Sequence, residues 1–311
     1  MLNTARKMKP KQQKLPLKLK RQLAFSLFNG DALQLLKQIP SNSVHACITD
    51  PPYFIDTMGD EWTPELVNKR AKKADVVGSL PVGMKFDPQQ GPRFQKFMAE
   101  ISKEVFRVLK PGGFYIAFSQ ARLYHRLGIA VEDAGFEVRD MLGWTYEGQA
   151  KAFSQDHFVR KMKISDKQKA AIIENLGGRK TPQLKPMIEP MVLGQKPKTG
   201  TFVENWLEHE TGLVDVTQSL DGKFPGNIMN VRKPTKTEKG EDNFHMTVKP
   251  VALIEHLIKL FTKEGQVVLD PFTGSGSHGV AALRSKRRFV GFEISQDYTK
   301  IARTRLEAEV M

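Results

Sequence analysis

Short apolar runs, each followed by a longer stretch with helical apolar spacing, recur along this chain and limit its fold more than any other feature. Strands are expected near residues 25–28, 44–49, 113–118, 136–145, 266–270 and 288–292. Between them, Phe94, Phe97, Met98, Ile101, Val105, Phe106 and Leu109 mark a helix over 93–109, which stops at a turn, Lys110-Pro111-Gly112-Gly113. Further helices are expected over 122–134 and 251–261, the latter with Leu253, Ile254, Leu257, Ile258, Leu260 and Phe261 on its buried side and Pro250 in its first turn. Alternating strand and helix implies a doubly wound, mostly parallel α/β sheet with helices on both faces. At 311 residues and 40% hydrophobic content the chain can bury a substantial core around such a sheet. Ligands of these sheets lie beyond the carboxyl ends of the strands, so residues just past each apolar run are the site candidates.

Two strand ends carry chemistry. The run Val44–Thr49 delivers Asp50-Pro51-Pro52-Tyr53. Prolines fix φ and cannot extend a ladder, so this tetrapeptide presents one carboxylate, a rigid run of carbonyls and one flat ring at the sheet edge. These groups suit a planar base with an exocyclic amine. Asp50 and the Pro51 carbonyl can each accept an N–H, pulling the nitrogen toward tetrahedral geometry, while Pro51 and Pro52 fix the backbone and Tyr53 would stack on the base. The plain alternative is a Pro-Pro turn and nothing more.

The second strand end is Gln266–Asp270, followed by Pro271-Phe272-Thr273-Gly274-Ser275-Gly276 and then a helix. Gly274, Gly276 and Gly279 satisfy G-x-G-x-x-G, and Glu293 closes the next strand, where a ribose-binding acid would sit. Asp270 would repel a pyrophosphate but attract an ammonium. S-adenosylmethionine carries an ammonium and no phosphate, which favours it over a dinucleotide. Phe28-Asn29-Gly30-Asp31 closes a third strand, with Asp31 placed to N-cap the following helix.

With Asp-Pro-Pro-Tyr at residues 50–53 and Asp-Pro-Phe-x-Gly-Ser-Gly at 270–276, the chain resembles the DNA amino-methyltransferases of the β group. These methylate N6 of adenine or N4 of cytosine. The resemblance implies a Rossmann-like methyltransferase fold in circularly permuted motif order, because the catalytic tetrapeptide precedes the cofactor loop. It implies S-adenosyl-L-methionine as cofactor, held by Asp270, Pro271, Phe272, Gly274, Ser275, Gly276 and Glu293, with Asp31 reaching the adenine ring. In His245-Met246-Thr247-Val248-Lys249-Pro250, Thr247 and Lys249 fall where the family holds the methionine end of the cofactor, although either could simply cap the helix; Met246 replaces the family's usual proline. His278 stands where the family often has Thr. The permuted order also implies that the strands ending at Asp50 and Asp270 are neighbours.

An Asp at the first position of the tetrapeptide resembles the adenine enzymes, which makes N6 of adenine the expected target. N4 of cytosine is the alternative, and a catalytically inactive DNA-binding protein on the same fold is a second. Cytosine C5 chemistry needs a thiol in its own loop, whereas Cys47 lies inside the strand before Asp50. That single cysteine also excludes an internal disulfide and a cysteine-built zinc site, and no metal is expected.

Net charge is +14, with eight Lys or Arg and no acid in residues 1–22. Such an arm is expected to bind polyanions, against the plainer reading of a solubilising tail. Double-stranded DNA is the expected partner, reached by flipping the target base from the duplex. A homodimer and a cognate restriction nuclease are compatible partners. No apolar stretch approaches the ~20 residues of a membrane helix, so no membrane partner and a cytoplasmic location are expected. The organisation read from sequence is the arm (1–22), a catalytic half (23–146), a middle region (147–243) and a cofactor half (244–311). In the middle region the strand–helix rhythm breaks down. By position it matches the family's target-recognition region, with Arg232, Lys233, Lys236 and Lys239 as a basic cluster; the alternative is an insertion that packs or dimerises. Residues 54–92 carry Lys69, Arg70, Lys72 and Lys73, suited either to closing over a flipped base or to a solvated helix face.

Overall fold

The computed structural model describes residues 23–53, 87–148, 152–220, 222–235, 238 and 248–310. The N-terminal arm, the 69–73 cluster, Lys236, Lys239 and Thr247 lie outside them. One eight-stranded sheet organises the described residues. Its strands are β1 (Phe25–Asn29), β2 (Val44–Thr49), β3 (Leu109–Phe118), β4 (Glu137–Thr145), β5 (Ile188–Gln195), β6 (Ile228–Asn230), β7 (Val267–Asp270) and β8 (Arg288–Glu293). Across the sheet they run β1-β8-β7-β2-β3-β5-β4-β6. Neighbours are parallel except for β5, which is antiparallel to both β3 and β4. The expected α/β, doubly wound, mostly parallel sheet is what forms.

Its helices cover both faces. On one side α1 (Ala32–Leu36), α2 (Gln90–Val108) and α3 (Tyr124–Asp133) pack Leu36, Phe94, Met98, Ile101, Val105 and Leu127 against Cys47, Tyr115, Val192, Leu269 and Phe292. On the other, α7 (Val251–Phe261), α8 (Ser277–Arg284) and α9 (Gln296–Glu307) pack Leu253, Ile254, Leu257, Val280, Ala302 and Leu306 against Ile48, Phe114, Ile116, Val268 and Phe289. Successive strand residues thus serve opposite cores, and all six residues of β2 are buried. Burial on both faces is why β2 reads as a near-continuous apolar run. Each fully buried large aliphatic or aromatic side chain contributes roughly 1.5–3 kcal/mol.

Two expectations need correction. Lys110-Pro111-Gly112-Gly113 is not a turn ahead of the strand but an irregularity inside β3, where the β2–β3 register shifts between Val44↔Leu109 and Ala46↔Phe114. Gly112 sits at φ +77°, and a Cβ on Gly113 would lie 2.9 Å from the His45 carbonyl oxygen. The segment is bulged strand that only glycine can bring this close. Second, no strand is expected in the middle region, yet the sheet takes in two from it. Among the described residues it supplies β5 and β6, together with helices α4 (Asp156–Arg160), α5 (Asp166–Leu176) and α6 (Phe202–His209).

Candidate active site

β2 and β7 pair in parallel, Ala46 with Val268 and Cys47 with Leu269. Their carboxyl ends therefore lie side by side, and the Thr49 hydroxyl donates to Asp270 Oδ1 at 2.6 Å. Motifs that are far apart in the chain meet here, as the permuted order implies.

At the end of β2, Asp50 is one corner of a four-membered polar ring. The Tyr53 hydroxyl lies 2.5 Å from Asp50 Oδ1 and 3.0 Å from Glu189 Oε1. Lys249 Nζ contacts Asp50 Oδ2 and lies 3.0 Å from the same Glu189 oxygen. Lys249 is buried, with its ammonium over the Phe118 ring at 5.1 Å from the centroid. Burial alone would discharge this lysine, yet the Asp50 and Glu189 carboxylates outweigh it and hold its pKa above the usual value. The Tyr53 phenol is pushed well up by burial and by the same two carboxylates, so it stays protonated and available as a donor. Glu189 is raised by burial; Lys249 opposes the rise and Asp50 adds to it. Behind the ring, Gln90 Nε2 donates to the Tyr53 carbonyl at 3.0 Å, and Arg122 holds Gln90 Oε1 at 2.8 Å. Phe94 meets the Tyr53 ring edge-on, with centroids 6.4 Å apart. Pro51 is buried and Pro52 half-buried, so the turn is anchored from below.

Lys249, expected at the methionine end of the cofactor, is turned toward Asp50. Thr247 lies outside the described residues. Tyr53, expected only as a stacking ring, is tethered through its hydroxyl. Glu189 was not anticipated at all; its signal would have been an acid next to Pro190 at the head of an apolar run, Met191-Val192-Leu193.

The neighbouring strand ends build a second polar cluster. Asp270 is fully buried, and its Oδ1 also accepts from the Phe272 N–H at 3.0 Å, while His278 Nδ1 lies 3.1 Å from Oδ2. Thr273 Oγ1 donates to the Asp270 carbonyl at 3.1 Å and tightens the turn. Gly276 precedes α8 at φ +90°, and a Cβ there would lie 3.1 Å from Ala302 Cα. Glu293, ending β8, accepts from the Gly274 N–H at 2.8 Å and the Ser295 N–H at 2.7 Å. Burial raises its pKa to about 7, although the backbone donors of Ser295 and Gly274 resist the rise. Asp31, beyond β1, caps α1 by accepting from the Gln34 N–H at 2.9 Å. Phe272 packs on Phe97, centroids 5.8 Å apart. Pro271 is buried at the start of the turn. The buried Ser275 faces α9, since Arg305 donates to its carbonyl at 2.6 Å.

Three adjacent strands, β1, β8 and β7, thus end in or just before Asp31, Glu293 and Asp270. The Asp270–Gly276 turn carries an acid and no base, and Gly274 and Gly276 both have positive φ, which side chains rarely adopt. This donor set fits a ligand with an ammonium and ribose hydroxyls and does not fit a pyrophosphate.

The family described as DNA methylase, N6/N4 type, matches residues 44–304. The chain belongs to that family. Among its relatives, the type II methyltransferase M.HindIII of Haemophilus influenzae is 32% identical over 306 residues, covering 91% of this chain and 95% of the relative. M2.DpnII of Streptococcus pneumoniae is 29% identical, with coverage of 91% and 90%. In fold, this DNA methylase is similar to the cytosine-N4-specific PvuII DNA methyltransferase, with a TM-score of 0.59 at 18% identity over 90% of this chain and 86% of the other. It is also similar to a Thermus thermophilus protein solved in complex with S-adenosyl-L-methionine, with a TM-score of 0.55 at 22% identity over 92% and 94%.

Proposed function

We propose that this DNA methyltransferase acts on N6 of adenine, with the flipped base attacking the methyl donor directly. The observation that carries the reading is the juxtaposition of Asp50 and Asp270 on paired strands, joined through the Thr49 hydroxyl. It supports the reading because a carboxylate able to accept from an amine then lies beside a loop suited to an ammonium ligand.

S-adenosylmethionine, when bound, supplies a methyl group on an electron-poor sulfonium. Asp270, Phe272, Gly274, Gly276 and Glu293, with Asp31 at the far end, are the residues that would hold it. An exocyclic amine is a poor nucleophile because its lone pair is delocalised into the ring. Asp50 and the Pro51 carbonyl accept its two N–H groups and free that lone pair. Lys249 and Tyr53 fix the Asp50 carboxylate, so the acceptor is oriented before the base arrives. Holding both reactants in place supplies much of the acceleration.

The base must leave the duplex, at a cost of a few kcal/mol. Residues 152–187 offer a surface to grip the backbone around it, with Arg160, Lys161, Lys163, Lys167, Arg179 and Lys180 all exposed. We assign target recognition to this part of the middle region. The adenine reading follows from Asp at the first position of the tetrapeptide. The fold likeness to a cytosine-N4-specific enzyme makes N4-methylcytosine the competing product. Incubation with labelled S-adenosylmethionine and unmethylated DNA, followed by nucleoside analysis, is expected to yield N6-methyladenine. Asp50→Ala is expected to abolish transfer while cofactor binding, measured by calorimetry, persists. Transfer retained in that variant would refute the assignment.

A further inference from the structure

Methylating a neutral amine creates a proton that must go somewhere. The nitrogen–carbon bond forms as the sulfur–methyl bond breaks, its electron pair staying on sulfur, and the nitrogen is left cationic until one N–H is lost. Asp50 is the nearest base, but both of its oxygens are already engaged, Oδ1 by Tyr53 and Oδ2 by Lys249. Lys249 is an ammonium and can accept nothing. The Tyr53 hydroxyl, however, sits between two carboxylates, 2.5 Å from Asp50 Oδ1 and 3.0 Å from Glu189 Oε1.

We propose that Glu189 takes up the proton shed by the target amine, relayed from Asp50 through the Tyr53 hydroxyl. The inference rests on the amine-methylation reading above. In the relay, Asp50 Oδ1 receives the amine proton and passes it to the Tyr53 oxygen as the original phenol proton moves to Glu189 Oε1. Tyr53 ends as it began, Asp50 is again a carboxylate, and Glu189 is a neutral acid. Electrostatics favour this end state. Two carboxylates facing one ammonium leave one uncompensated negative charge in a largely buried ring, and the arriving proton cancels it.

The charged and titratable groups facing Glu189 are Asp50 and Tyr53 beyond β2, Lys249 ahead of α7, and Tyr146 beyond β4. Burial already raises the affinity of Glu189 for a proton, with Lys249 opposing and Asp50 adding to the effect. Glu189 never meets the base in this scheme; it is a positioning and proton-accepting residue that acts through Tyr53. It comes from β5, antiparallel to both of its neighbours, which brings its amino end to the edge where the parallel strands end.

The test uses the full chain, unmethylated phage DNA and labelled S-adenosylmethionine in single turnover from pH 5.5 to 9. Wild type is expected to lose rate on the acid side, as Glu189 is protonated before the reaction. Glu189→Gln is expected to slow transfer about 10²-fold at pH 7.5, the usual scale for a lost acid–base group, and to erase that acid limb. Cofactor and DNA affinities should stay within twofold. Tyr53→Phe, which keeps the ring and removes the relay, should reproduce both effects, and the double variant should be no slower. An unchanged acid limb in either variant, or a rate within twofold of wild type, overturns the relay. So does a loss explained by weaker cofactor or DNA binding. A wild-type protein that transfers no methyl to DNA would instead overturn the parent reading, and the relay with it.

Discussion

Glu293 couples the stability of the fold to pH. Burial raises its pKa to about 7, against an ordinary value of 4.5. Below the ordinary value both folded and unfolded chains hold the proton, and above 7 both have lost it; between them only the folded chain holds it. Stability contributed by this group is therefore present at low pH and lost as pH rises through 7. Integrated from pH 5 to pH 8, the loss comes to about 2.5 kcal/mol. His45 works in the opposite sense, since burial depresses its pKa to about 3 and its contribution grows as pH rises toward 6.5. The measurement is therefore a difference between wild type and Glu293→Gln, in which His45 cancels. The amide keeps one acceptor for the Gly274 and Ser295 N–H groups but confronts the other with an NH2, a pH-independent cost of about 1–3 kcal/mol. Urea unfolding of both proteins at pH 5, 6, 7 and 8 should show the variant closing on wild type as pH rises. If Glu293 also holds the ribose hydroxyls in its ionised form, cofactor affinity of the wild type should rise about tenfold between pH 6 and 8 while the variant stays flat. Parallel stability curves for the two proteins would refute the burial argument outright.

Two further outcomes are expected. Asp31→Ala should cost about 1 kcal/mol through loss of the α1 cap, whereas Asp31→Ser keeps a capping oxygen and removes the carboxylate; weaker cofactor binding in both variants, seen by calorimetry, would assign Asp31 to the ligand, and unaffected binding would leave it a cap alone. Deleting residues 1–22 should weaken DNA binding and flatten its salt dependence in a filter or anisotropy titration, and an unchanged salt slope would reduce the arm to a solubilising tail.

The strands that are buried on both faces were legible because an unbroken apolar run leaves few alternatives. β2, β7 and β8 fall within a residue of their expected bounds, and α7 is expected and observed over the same residues. β5 was hidden by Glu189, Pro190 and Gly194, residues that ordinarily argue against a central strand. Pro190 is tolerated because the β3–β5 ladder begins at Met191, so the N–H that it lacks is not needed there, while its carbonyl accepts from the Ser119 N–H at 2.9 Å. The same camouflage hid Glu189. At the site, the tetrapeptide and the glycine turn could be read because each is contiguous and chemically unusual. The partners of Asp50 could not, since Lys249 and Glu189 approach it from 199 and more than a hundred positions away, and only packing brings them together. Gly112 and Gly113 announced a turn, but backbone proximity to His45 explains them equally well.

The hydrogen bond between Thr49 and Asp270 spans 221 positions of chain. During synthesis, the ribosome therefore delivers the strand that leads into Asp50 long before the strand that flanks it. Until β7 arrives, the fully buried β2 keeps one hydrogen-bonding edge bare in the middle of the future sheet, a template for pairing with other chains. Closure must wait for contacts of very high sequence separation, which makes folding slow relative to a helical protein of this size. The strand that covers this edge is also the strand that ends in Asp270. Asp50 and Asp270 are therefore brought side by side by the same pairing that covers the bare edge of β2.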